Sequence, residues 1–80
     1  MTYKELDIVV LTVDLPEYQI KAGDLGTVVF ASADALEVEF VLANGDTQAL
    51  VTLSPDSIRP KGDRDLMTVR RAEPPNRGVA

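Results

Sequence analysis

Three observations predict that this chain is all-β, a small five-stranded barrel. Short runs rich in β-branched residues recur between breaks that contain Pro or Gly. An Asn44-Gly45 pair sits between two stretches of alternating pattern. Ser54-Pro55 then introduces a last short run led by Ile58. Short β-branched runs bounded by turn residues are strand signals, and Asn-Gly between two of them is the strongest short hairpin signal. Eighty residues make one domain with a small core.

The first run, Asp7–Val13, reads D-I-V-V-L-T-V. It is too short for an uncapped helix and its side chains favour a strand. Leu15-Pro16-Glu17-Tyr18 ends it, because Pro16 lacks an amide hydrogen and biases Leu15 away from helical geometry. The irregular loop closes through Lys21-Ala22-Gly23-Asp24-Leu25-Gly26, whose glycines permit positive φ or close backbone approach. Thr27–Ala31 is the second strand, and Ser32-Ala33-Asp34 a short turn.

The third and fourth strands pair across Asn44-Gly45. A two-residue type I′ loop needs φ > 0 at both central positions and sets Ala43 opposite Asp46. Counting outward pairs Val41 with Gln48, Phe40 with Ala49, Glu39 with Leu50, Val38 with Val51 and Leu36 with Leu53. One face then holds Leu36, Val38, Phe40, Ala49, Val51 and Leu53. The other holds Glu37, Glu39, Gln48 and Thr52, with Val41 and Leu50 as apolar exceptions. A slip by one residue would put the apolar set into water, so turn chemistry and pattern agree on one register.

Ser54 is placed to cap one turn of 3₁₀ helix with Pro55 at its first position. Ile58–Pro60 is a short last strand, and Pro60 suits an edge or an end. A long loop after the first strand, a tight hairpin between the third and fourth, and a 3₁₀ turn before the last suggest an SH3-like barrel over residues 1–60. Closure would deal with the exposed edges of so small a sheet. Residues 61–80 form a basic C-terminal tail. In it Asp65–Arg71 is predicted as one further short strand, with Met67 and Val69 on one side. Glu73–Ala80, rich in Pro and Gly and charged, is expected to be disordered in the free chain or ordered only by contacts.

Composition excludes several chemistries. There is no cysteine and no histidine. That removes disulfides, thiolate nucleophiles, Cys-based zinc sites and the commonest general base and metal ligand. Neither a signal-peptide core nor an apolar run long enough to span a bilayer is present, so a soluble cytoplasmic protein is expected. The net charge is −5. Residues 1–58 carry two bases against ten acids, and residues 59–80 six bases against three acids. The acidic net charge argues against nucleic-acid binding, which needs clustered Lys and Arg, and the distribution is an acidic body followed by a basic tail. Arg70 and Arg71 lack an aromatic stacking platform for RNA, and a tail lying on its own acidic body, or on that of a second copy, is the better reading.

Glu37 and Glu39 share one strand face. Paired carboxylates could serve acid–base chemistry or hold a cation, but no further ligand set accompanies them and a solvated face explains them better. The Gly-x-x-Gly of residues 23–26 leads into a strand and not a helix, so it lacks the dipole of a phosphate loop. Ser54 and Ser57 have no base nearby and fit turn and cap roles. Val41 and Leu50, diagonal neighbours on the outward face, form either a patch covered by Met67 and Val69 or a dimer or partner surface. Tyr18 stands where peptide-binding SH3 domains line a groove, though with four aromatics and no Trp a ring packed over the barrel end accounts for it better.

Asp7-Ile8-Val9-Val10-Leu11, Asp14-Leu15-Pro16-Glu17, Lys21–Val29, Glu37-Val38-Glu39-Phe40, Ala49–Leu53 and Ile58-Arg59-Pro60 occur in an order that resembles an uncharacterised family of small bacterial proteins, frequent in cyanobacteria. That family is catalogued as a domain of unknown function, and the likeness covers residues 6–60. More loosely, Gly26-Thr27-Val28-Val29, the hairpin and the Pro-Asp-x-Ile ending look like the SH3-like barrels found in photosystem I and in nitrile hydratase β. The family resemblance implies, through neighbouring toxin-like genes, an antitoxin or immunity role; it supplies no catalytic residues. The expected function is therefore non-enzymatic and needs no cofactor or metal: a protein-binding module that meets a basic, toxin-like partner with Glu37, Glu39, Val41, Leu50 and Tyr18. The alternative is a self-assembling protein that dimerises through edge strands or its tail.

Overall fold

A computed structural model describes residues 2–76. Strand β1 (Ile8–Leu11) leads through a 3₁₀ turn (Pro16–Tyr18) to β2 (Leu25–Ala31), β3 (Leu36–Val41) and β4 (Thr47–Leu53). A second 3₁₀ turn (Pro55–Ser57) precedes β5 (Ile58–Pro60). The strands form one antiparallel sheet in the order β4-β3-β2-β1-β5. Among the described residues no ladder joins β4 to β5, so the sheet stays open where the sequence predicts a closed barrel. The reason lies in β5. It has three residues, its Ile58 N–H is already taken by the Pro55 carbonyl, and Pro60 has no N–H to offer a second neighbour.

The core gathers on one face. Val9, Leu11, Val28, Leu36, Val38, Phe40, Ala49, Val51, Leu53 and Ile58 are buried together, and the β1–β2 loop adds Tyr18 and Ile20. All six residues assigned inward on the hairpin are among them. Both uses of glycine in the loop appear. Gly23 has φ +98, while at Gly26 a Cβ would stand 2.5 Å from a methyl of Val38 and 2.9 Å from the Phe40 ring. The core thus packs directly on the β2 backbone.

The β3–β4 register is the predicted one from Leu36↔Leu53 to Phe40↔Ala49. The turn is not. Gly45 N–H donates to the Leu42 carbonyl and Leu42 N–H to that of Asp46, so the loop is Ala43-Asn44-Gly45. Only Gly45, at φ +94, has positive φ, whereas a type I′ turn would place Asn44 there too. Asn44 instead accepts from Asp46 N–H at 2.9 Å. One extra residue in β4 restores the register: Val41 pairs with Thr47, and Gln48 bulges. The three-residue loop requires φ > 0 at glycine alone, which makes it the less strained choice.

β2 has a matching bulge. Ser32 and Ala35 close the β2–β3 turn with a 3.0 Å backbone bond. Outward from it run Ala31↔Leu36 and Phe30↔Glu37, then Val28↔Val38, with Val29 left over. After β4, Ser54 Oγ accepts from Asp56 N–H at 3.3 Å, as the cap reading requires.

Among its described residues the tail adds no strand; Asp65–Arg71 is irregular. Asp65 turns back, taking two hydrogen bonds from Arg59 and one from Gly62 N–H. That turn carries the chain off the sheet before it could pair. Of Glu73–Ala80, expected to be ordered only by contacts if at all, residues 73–76 are described without regular structure, and 77–80 lie outside the described residues. No helix among the described residues is long and apolar enough to cross a membrane.

A candidate binding face and a tail cleft

The outward face follows from the registers. β3 projects Glu37, Glu39 and Val41 away from the core. Across from Glu37 stand Phe30 on β2 and Thr52 on β4; across from Glu39 stand Thr27 and Leu50; across from Val41 stands Thr47. Glu39 accepts from the Thr47 hydroxyl, and both glutamates are half-buried by these neighbours. Glu37, Glu39, Val41 and Leu50 therefore share a surface, as predicted. Val41 is exposed and Leu50 partly so. Among the described residues no three carboxylates converge as metal ligands would.

Two expectations for this face require correction, and one of two open alternatives is decided. Tyr18 does not belong to it, because its ring is 4% exposed within the core at the end of the sheet. A two-residue loop would turn Gln48 outward, yet the bulge buries it to 5% exposure. Met67 and Val69 do not cover Val41 and Leu50; both remain largely in water.

One residue of the face is not found by strand alternation. Phe30 is 53% exposed. Strict alternation from the buried Val28 would send it inward, and only the bulge at Val29 turns it out beside Glu37. A turn-length count is the one available signal. Ser32 closing on Ala35 puts Phe30 opposite Glu37, whereas the inward pair Val28–Val38 demands a register one residue different.

A second region lies at the other end of the hairpin. A cleft of about 460 Å³ opens between the β1–β2 loop, the tip of the β3–β4 hairpin and the tail, lined in part by Ile20, Leu25, Phe40, Val41, Gln48 and Val69. The tail is held here by polar contacts. Arg70 Nε donates to Asp24 Oδ1 at 2.9 Å, and its Nη2 to Asp24 Oδ2 and to the Gln19 carbonyl. The Asp24 side chain beside it raises the already high pKa of Arg70, through the hydrogen bond first. The Gln48 amide donates to the carbonyls of Tyr18 at 3.0 Å and Glu73 at 2.9 Å. The basic tail thus lies on its own acidic body.

Residues 5–60 match the domain of unknown function DUF4926, and the chain belongs to that family. The matched span ends with β5, where the irregular tail begins. No curated protein and no solved structure matches the chain.

Proposed function

We propose that this member of the family is a non-catalytic protein-binding module on an SH3-like scaffold, which meets a basic partner with the outward face of β2, β3 and β4. The strand order and the 3₁₀ turn between β4 and β5 support the scaffold. The observation that carries the function is Phe30 turned out beside Glu37, on a face that also bears Glu39, Leu50 and Val41. An aromatic anchor amid carboxylates and half-exposed aliphatics is the composition of a binding patch: the ring supplies desolvated contact, the acids supply steering and register. In the sharper form of this reading the partner is a nuclease-like toxin whose basic site the carboxylates cover in place of phosphates.

The test is capture of partners from the native host, then kinetics with the purified partner. Glu37→Gln with Glu39→Gln is expected to slow association about tenfold at low salt and to flatten its salt dependence. Phe30→Ala is expected to speed dissociation by about the same factor. Undiminished binding by both variants would remove this face from the reaction.

A second reading has its own observation. β4 is a terminal strand of seven residues, TQALVTL, without a charged side chain. Such an edge is a template for pairing with a second copy, which would make a homodimer across a continuous sheet.

A further inference from the structure

Asp24, the Gln19 carbonyl and the Gln48 amide form a socket, and the chain's own tail shows what fits it. We propose that this socket receives an extended, arginine-bearing segment of a basic protein partner, and that residues 70–73 of the tail occupy it as a displaceable stand-in.

The body builds the socket without help from the tail. Asp24 Oδ2 accepts from Lys21 N–H at 2.8 Å, and Asp24 N–H returns a bond to the Lys21 carbonyl at 3.0 Å. The Asp24 carbonyl in turn holds Leu11 N–H of β1 at 2.9 Å. Gln19 sits in the left-handed region at φ 57, closing the first 3₁₀ turn. Gln48 is fixed at its bulge by the Tyr18 carbonyl. What remains free for a ligand is a carboxylate edge, a carbonyl and one amide hydrogen.

Those three groups read a defined pattern. The carboxylate takes a guanidinium through two parallel bonds, and the Gln19 carbonyl takes a further hydrogen from the same group, at 3.2 Å in the tail. Lysine cannot reproduce that fork. Gln48 takes a main-chain carbonyl three residues further on, which demands an extended ligand but no particular side chain. The body's excess of acids favours a basic partner.

The tail is a poor occupant of its own site. Leu66 and Val69 line the rim of the cleft yet remain 87% and 91% exposed, so the tail's aliphatic side chains bury little against Ile20, Leu25, Phe40 and Val41. A segment with the same arginine and an aliphatic side chain seated in that cleft gains apolar burial that the tail forgoes. The tail competes by tethering, since its short connection from Lys61 keeps its local concentration high.

Full-length protein and its Arg70→Ala variant serve for the test, with a fluorescent peptide of residues 66–76 as probe, read by polarisation. Emptying the socket is expected to tighten peptide binding about tenfold over wild type. Asp24→Asn in the Arg70→Ala background is expected to abolish it, and a peptide with lysine at the position of Arg70 to bind at least about tenfold more weakly. Asp34→Asn, at the exposed β2–β3 turn and outside both the socket and the outward face, should leave it unchanged, which separates this socket from the general acidity of the body. Equal binding by wild type and Arg70→Ala, or no saturable binding by the variant, overturns the proposal. Should Asp24→Asn unfold the chain, equal binding of the arginine and lysine peptides overturns it as well.

Discussion

Single residues decide where this chain bends. Gly45 bears the only positive φ in the hairpin loop, and nothing lies within 4 Å of a Cβ added there, so its requirement is backbone conformation alone. Gly26 is the opposite case, with ordinary φ and no room. Asp65 starts the tail. Its hydrogen bonds from Arg59, and then from Gly62 N–H, hold its carboxyl well below the usual carboxylate range. A folded-state pKa below the unfolded one stabilises the fold above the unfolded value and is lost as pH falls toward the folded one. Asp65→Asn is therefore expected to lower Tm modestly at neutral pH, since the pair is solvent-exposed. The gap to wild type should narrow as pH drops below about 4 and close only in strong acid. Thermal melts of both proteins across that range check it; a gap constant with pH would show that the carboxylate charge contributes nothing.

At the scale of the element, both hairpins solve one problem. Their turns and their buried faces ask for registers one residue apart, and each strand pair inserts a single bulge to satisfy both. The bulge at Val29 exposes Phe30; the bulge at Gln48 buries a polar side chain and gives it two carbonyls to bond. Bulges here create the two features on which the proposals rest, the exposed Phe30 on one face and the Gln48 contact with the tail at the other end. Deletion of Gln48 makes the pairing continuous from Val41↔Thr47 to Phe40↔Ala49 while leaving loop and core untouched. The deleted chain is expected to fold with the same core pairs, at a cost of about 1–3 kcal/mol for the Tyr18 carbonyl left without its donor. Cross-strand nuclear Overhauser effects between residues 40 and 49, with urea unfolding, check this. A shifted core pairing would mean that the bulge sets the register.

At the scale of the whole molecule, charge and an open sheet set the behaviour. The acidic body holds the basic tail through Asp24, and among the described residues β4 is a terminal strand of the sheet. Self-pairing along β4 predicts a concentration-dependent dimer in sedimentation equilibrium. Thr52→Lys, which places charge at that edge, is expected to dissolve it. A strict monomer at high concentration removes the self-assembly reading and leaves the partner-binding one standing.

The alternation Leu36-x-Val38-x-Phe40 against Ala49-x-Val51-x-Leu53 was legible because burial of one face punishes any slip, so hydrophobic pattern determined the core register, while β-branched runs between turn residues determined the all-β class and Asn44-Gly45 the hairpin. The Pro-led 3₁₀ turn and the two roles of glycine were legible for a similar reason: each follows from the residue's own backbone. The bulges were not, since each arises from a turn on one side and a core on the other, and neither appears in a local window. Phe30 was missed and Gln48 misread on that account, whereas the burial of Tyr18 follows from the 3₁₀ turn of the β1–β2 loop. Tertiary structure alone decided that the sheet stays open and that the tail docks as an irregular strap. Arg70 meets Asp24 only because the loop, the bulge and the tail converge across forty-six residues of chain.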